Sequence, residues 1–341
     1  MNEQSYFDLI DQGEAQAKQG NLQRAILYCE KAAALAHTAR DDDSEMDALN
    51  RLSINAYNVG DYQKSIESST RLLACTQQTR DEQYRLQATF NLAATLVKLD
   101  LQGRWRELKP LLLEGRQIAR SLTNQYHEIC HLVWLGFCAS RVGEEEQGFA
   151  WLQEALSLIQ PETEKRTYLR GIVYESFAEV MYRRGMYTEA MRYAEMAVDS
   201  FREYGYPELV ANAQLSLAKV ERDQGEKVRA LQGIEEVLLL ARQKGWKHTE
   251  QQAEYLRGEL ERELGHLAEA EEAARQALKL ACEMKRKEEE VKCLLSLGRV
   301  LLVCNHREEG REMLKQARRL SQERDYQDYF EQAETLLRGD M

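Results

Sequence analysis

The sequence predicts an all-α solenoid of about eight helix-turn-helix repeats, closed by one further helix at the C-terminus. Three observations predict it. A turn signal, usually Gly with a small residue five positions on, recurs near residues 20, 60, 103, 143, 185, 225, 265 and 305. A second small residue precedes most of these turns by seven positions. The segments between are rich in Ala, Leu, Glu, Arg and Gln, and only three prolines and no Ser/Gly/Pro-rich linker occur in 341 residues, which favours helix throughout. Hydrophobic residues at 43% supply enough apolar surface for a continuous core, so wholesale disorder is excluded. A near-constant period means one elongated body over residues 1–341, each unit touching its neighbours, rather than two globular domains.

The turns read Gly20…Ala25, Gly60…Ser65, Gly103…Leu108, Gly143…Gly148, Gly185…Ala190, Gly225…Ala230, Gly265…Ala270 and a degenerate Asn305…Gly310. The spacing is 40 residues except for 43 before the third turn and 42 before the fifth. The preceding small residues are Gly13, Ser53, Gly136, Ala178, Ala218, Gly258 and Gly298, with Ala93 or Ala94 slightly out of step in the third unit. Two helices folded back at close range need small side chains where their backbones cross, and the turn glycine supplies the freedom that ends the first helix. Each second helix then carries an amphipathic stripe, as in Ala155-Leu156-Ser157-Leu158-Ile159.

The third unit departs from the pattern. Three extra residues fall near Asp100-Leu101-Gln102 and are expected in its turn, with Pro110 in a first helical turn. Pro161 is expected in a lengthened loop, and Pro207 at the start of a first helix. Residues 325–338 form the capping helix, shielding the last repeat.

A net charge of -11 argues against non-specific nucleic-acid binding and against docking on an anionic membrane. No run approaches 18 apolar residues, and the start Met1-Asn2-Glu3-Gln4-Ser5 lacks the features of a secretory signal. Seven cysteines, without a CxxC pair, are expected as reduced thiols, most of them buried, in the cytoplasm.

The segment His127-Glu128-Ile129-Cys130-His131 matches H-E-x-x-H, in which two histidines on one helical face hold zinc and the glutamate activates water. The repeat register runs through it undisturbed, Trp134 and Phe137 stand where the extended motif has Gly and His, and no substrate-aligning strand is visible. A third ligand would have to come from a neighbouring repeat, with Glu154 or Glu175 conceivable. No Gly-rich phosphate loop or identifiable triad occurs. The expectation is no enzyme, no metal and no cofactor, with a zinc-dependent hydrolase as a minor alternative.

Gly or Ala, Gly seven later, often an aromatic two beyond (Tyr62, Trp105, Tyr187), then Ala resembles the tetratricopeptide repeat. The 40-residue units are similar to those of kinesin light chains, LGN-type adaptors, bacterial Rap-type regulators and the sensor arms of signalling proteins. The resemblance implies a right-handed superhelix whose first helices line a concave surface, and a protein-interaction scaffold or sensory adaptor that binds a peptide or helix. Counted from each small residue, the implied groove positions are Asn50, Tyr57, Asn58, Asn91, Arg141, Glu175, Glu179, Tyr182, Arg183, Lys219, Arg222, Tyr255, Arg262 and Arg299. The cations Arg183, Lys219, Arg222, Arg262 and Arg299 read in two ways. They form a basic track for an acidic segment or a free C-terminus, or they pair with Glu179, Glu259 and Glu263 on the same helices. The carboxylate clamp of chaperone-binding members is not clearly reproduced. A peptide-gated regulator of the Rap type is the alternative function. Because the repeats start by about residue 5, no DNA-reading head is expected within this chain. The sequence leaves the oligomeric state open.

Overall fold

A computed structural model describes residues 5–99, 101–159, 164–324 and 326–339, and these form seventeen helices with no strand among them. The first helices of the successive pairs are α1 (Tyr6–Lys18), α3 (Asp42–Asn58), α5 (Glu82–Leu99), α7 (Gln125–Arg141), α9 (Glu164–Arg183), α11 (Pro207–Gln224), α13 (Lys247–Leu264) and α15 (Lys287–Val303). Their second helices are α2 (Leu22–Ala39), α4 (Tyr62–Thr79), α6 (Leu101–Ser121), α8 (Glu145–Leu158), α10 (Tyr187–Tyr204), α12 (Lys227–Lys244), α14 (Leu267–Glu283) and α16 (Arg307–Arg324), followed by α17 (Gln327–Gly339). The chain forms two compact units, Met1–Leu135 and Gly136–Met341, and within each unit helices pack against their sequence neighbours.

The small residues do what their spacing predicts. Gly13 lies against the Ala25 backbone, Gly258 against Ala270 and Gly298 against Gly310, while the Ser65 hydroxyl bonds the Ser53 carbonyl at 2.9 Å. Each contact joins a residue seven before a turn to one five after it, so the two helices of a pair run antiparallel and cross where neither has bulk. A Cβ at Gly136 would stand 2.5 Å from Leu152 Cγ, a fully buried side chain, so this crossing admits only glycine. Around the crossings lie layers of Ala and Leu: Leu9, Ala32, Met46, Leu49 and Leu72 in the first unit, and Ala211, Leu215, Ile234, Leu238 and Leu260 in the second.

The turns within pairs hold Gly20, Gly60, Gly143, Gly185, Gly225 and Gly265 in the left-handed region, and Asn305 occupies it at φ 64° in the degenerate copy. The turns between pairs use the same conformation at Arg40, Arg80, Thr123, Gly205, Gly245 and Lys285. Side-chain caps open several helices: Ser5 and Asp8 form a reciprocal capping box on α1, and Asp41 and Asp61 accept from the backbone of Ser44 and Lys64.

Two expectations are corrected in the third pair. Gly103 and the inserted residues at 101 and 102 do not make a longer turn. They belong to α6, which reaches 21 residues against 18 for α2, α4, α10 and α12. Three residues are close to one helical turn, so an insertion of that length extends a helix without rotating its apolar face far out of register. Pro110 therefore sits inside α6 rather than in a first turn. It removes one backbone donor from the Arg106 carbonyl, and both residues are exposed, so water replaces the lost bond. Pro207 opens α11 as expected, while Pro161 and Asp325 lie outside the described residues. The terminal α17 buries Ala333 and Leu337, and Tyr329 on it donates to Glu288 of α15 at 3.3 Å.

Candidate functional site

The expected wall positions fall on first helices, and their chemistry differs between the units. In the first unit the Asn91 amide donates to Asn50 Oδ1 and to the Ser53 hydroxyl, both at 2.9 Å, tying α5 to α3. The Tyr57 ring packs on Tyr62 with centroids 5.7 Å apart, and Asn58, the last residue of α3, is exposed.

In the second unit α7, α9 and α11 enclose a cavity of about 240 Å³. Phe137 comes from α7, Ile172, Glu175, Glu179 and Tyr182 from α9, and Ser216 and Lys219 from α11. Glu179 accepts from Arg183 at 2.8 Å and from Lys219 at 3.4 Å. The Lys219 ammonium also stands 4.5 Å from the centre of the Tyr182 ring, and Tyr182 donates its hydroxyl to Asp223 of α11. Burial, reinforced by that bond to Asp223, pushes the Tyr182 hydroxyl up to about 12. Glu175 is different. Its carboxylate accepts one bond, from the Ser216 hydroxyl at 3.3 Å, and no cation among the described residues pairs with it. Burial pushes its pKa above the ordinary glutamate value, and the Ser216 bond only partly opposes this.

The remaining wall residues continue the pattern. Arg141 lies over the Phe137 ring at 5.3 Å. Arg222 pairs with Asp223 at 2.6 Å and reaches Glu263 at 3.9 Å. Glu259 of α13 takes Arg262 at 3.2 Å and Arg299 of α15 at 3.5 Å, and accepts from Ser296. Tyr255 packs beside Ala277, Ala281 and Cys293 and so belongs mainly to the core. Carboxylates thus engage Arg183, Lys219, Arg222, Arg262 and Arg299; Arg183 and Arg262 pair with Glu179 and Glu259 on their own helices, whereas Lys219, Arg222 and Arg299 reach Glu179, Glu263 and Glu259 on a neighbouring first helix. The residue just after each small residue alternates in sign from one pair to the next: Glu179, Lys219, Glu259, Arg299.

Phe137 and Ser216 were not among the expected wall residues. Phe137 directly follows Gly136, a wall position in the counting scheme, so the register carried the signal. Ser216 lies two before Ala218, between wall positions, and no sequence signal marks it.

The H-E-x-x-H segment lies in α7 with its glutamate committed to an ion pair, while His127 Nδ1 and His131 Nε2 are buried without a hydrogen-bond partner among the described residues. His131 is fully buried, its Nδ1 is 2.7 Å from the His127 carbonyl, and its Nε2 faces the backbone of Gly115. Burial, opposed by that backbone bond, pushes its pKa down to about 4. Glu128 is buried and ion-paired with Arg120, with Arg116 4.0 Å away. Glu175, one of the conceivable third ligands, points into the cavity instead. Among the described residues no three His, Cys, Asp or Glu side chains are grouped so as to hold a metal ion.

No family model matches the chain, and no curated protein does. Solved structures do. A signal-transduction ATPase with numerous domains, carrying a tetratricopeptide-repeat sensor, from Pyrococcus horikoshii is 15% identical with a TM-score of 0.57, covering 100% of this chain and 50% of its own. The chain thus spans half the length of that protein. A Rap conjugation gene regulator in complex with the Phr* peptide is 14% identical with a TM-score of 0.57, covering 82% of this chain and 74% of its own. Aspartyl phosphate phosphatase F from Bacillus subtilis is 11% identical with a TM-score of 0.53, covering 100% and 94%. The chain therefore has the fold of tetratricopeptide-repeat and Rap-type helical arrays.

Proposed function

We propose that the chain is a protein-interaction scaffold or sensory adaptor that takes a peptide or helix of a partner against the first-helix wall of its second unit, and that it performs no reaction. The observation that carries this reading is the cavity lined from three successive first helices, α7, α9 and α11. Pockets for drug-sized ligands start at roughly 300 Å³, so a smaller one suits a single side chain of a longer guest. A guest lying along the wall would meet Tyr182, Lys219 and Arg222 in turn. Arg183, Lys219, Arg222, Arg262 and Arg299 are already paired, so an acidic segment or a free C-terminus bound there would have to displace a built-in carboxylate. That weakens the acidic-guest reading relative to a guest of mixed charge.

A binding rather than catalytic role is supported by Glu128, the glutamate a zinc peptidase would use as base, being held by Arg120 and Arg116. The phosphatase likeness, at 11% identity, carries the fold alone. Seven unpaired thiols fit a reducing compartment such as the cytoplasm, and no described helix is long and apolar enough to cross a membrane. A second reading, a regulator gated by a peptide, is favoured by the neighbour that was solved with one.

The test fills the cavity. Ser216→Trp puts an indole on the half-exposed Ser216, and Lys279→Ala on the exposed face of α14 is the control. A partner identified by capture from native lysate and reconstituted as a purified pair should bind Ser216→Trp at least about tenfold more weakly, with helicity and Tm retained. Equal affinity for both variants would overturn the reading.

A further inference from the structure

The geometry points to Glu175 as a recognition site for a basic group, an ammonium or guanidinium presented by a side chain of the guest peptide. This rests on the second unit's wall being the binding surface, and adds the charge that the guest must bring.

Glu175 lies three residues before Ala178, as Asn50 lies three before Ser53. In the first unit that position is satisfied across neighbouring pairs, because the Asn91 amide reaches Asn50. Forty-one residues on from Glu175, the separation that joins Asn50 to Asn91, stands Ser216, which offers a hydroxyl where the first unit has an amide. Glu175 is left with one hydroxyl, from Ser216. The neighbouring cations do not fill the gap, since Arg183 and Lys219 both bond Glu179 and Lys219 is also held over Tyr182.

A half-buried carboxylate with a single neutral donor is under-bonded, and a cation delivered to it supplies the missing partner. The cavity supplies the other half of such a site. Phe137 and Tyr182 line it with aromatic surface, and ring faces attract ammonium and guanidinium groups. Its volume matches an aliphatic stem with a charged head rather than a whole ligand. An acidic or purely apolar side chain would leave Glu175 as exposed to repulsion, or as under-bonded, as before.

The experiment pans a phage-displayed random heptapeptide library on the full chain and on Glu175→Gln, which keeps the shape and removes the charge. Synthetic versions of the selected peptides are then measured with each Lys or Arg replaced by norleucine or citrulline. The expected result is enrichment of a Lys or Arg at one position on the wild-type chain. Affinity should fall at least about tenfold on Glu175→Gln or on neutralising that one residue, with Tm unchanged or raised. Comparing Lys with Arg at the position tells which head group is preferred. Peptides that bind the wall without a basic residue, or equally well to Glu175→Gln, would overturn the inference and leave the peptide-binding reading standing. Selected peptides whose binding Ser216→Trp does not affect, or no selected peptides at all, would remove both.

Discussion

In the first unit the joint between α3 and α5 is neutral, whereas ion pairs join successive first helices in the second unit, as one also joins α1 to α3 through Arg51 and Glu14. The neutral joint runs from the Asn91 amide to Asn50 and Ser53. The ion pairs of the second unit are Lys219 to Glu179, Arg222 to Glu263 and Arg299 to Glu259. The backbone spacing of about one repeat is what both exploit, since a side chain finds its counterpart roughly 40 residues on. Amide pairs are indifferent to pH and salt. Charged rungs are not, and an alternating order of signs lets each glutamate hold a cation from the next helix. Where a glutamate meets only a hydroxyl from the next first helix, as Glu175 meets Ser216, no cation among the described residues pairs with it. A fold built by repetition acquires a specific site where the repeated pairing changes its chemistry.

The comparison is broken most severely at Glu259. It is 6% exposed and serves Arg262, Ser296 and Arg299, so Glu259→Ala strands two guanidinium groups. Removing one partner of a buried pair costs about 3–5 kcal/mol, and because both arginines keep some contact with water the expected loss is about 2 kcal/mol by urea unfolding. The first unit's counterpart is Asn91→Ala, which leaves two acceptors without their donor. That should cost about 1–2 kcal/mol, with the same result in low and high salt.

Titration sharpens the contrast within the second unit. At Glu259 burial pushes the carboxyl up, but Arg299, Ser296 and Arg262 outweigh it and hold the folded pKa below the unfolded value of 4.5. Its contribution is then fully present above 4.5 and is lost as pH falls through the folded value. At Glu175 the folded pKa is raised above 4.5, so the folded state binds more protons between the two values and stability falls as pH rises through them. Glu175→Gln should therefore stabilise the empty protein at neutral pH, by about 1 kcal/mol, the order of cost of an under-bonded buried polar group. That gain should vanish as pH approaches 4.5, whereas the deficit of Glu259→Gln should shrink over the range below it. Urea unfolding at a series of pH values reads both, and parallel curves for the two variants would contradict the assignment.

The smallest effect is at the rim. Lys219 is over a third exposed, and Lys219→Ala should change stability by no more than about 0.5 kcal/mol, less in high salt.

Much of this architecture is written in small residues. Gly13, Ser53, Gly258 and Gly298 mark crossings, and Asn305 takes the left-handed turn that the glycines take elsewhere, because a short polar side chain tolerates that conformation. The turns between pairs were less legible. Arg40, Arg80 and Lys285 adopt positive φ, and nothing in a long basic residue announces it. The insertion in the third pair was misplaced into a turn because glycine at 103 reads as a breaker, whereas a segment lengthened by nearly one helical turn keeps its buried face. Of the cavity, Glu175, Tyr182 and Lys219 could be named by counting. Phe137 could have been by the same count, but Ser216 depends on how α11 is rotated against α9, which no spacing encodes. The pairing of the cations could be posed from i, i+3 and i, i+4 neighbours, but pairs that reach a second helix, such as Arg299 to Glu259, need coordinates.

The most direct measurement is amide hydrogen exchange of the full chain with and without a peptide selected on it. A guest on the first-helix wall predicts added protection on α9 and α11, centred on residues 172–183 and 212–222, with α10 and α12 unchanged. Protection confined to α10, α12 or the turns between pairs would contradict the account.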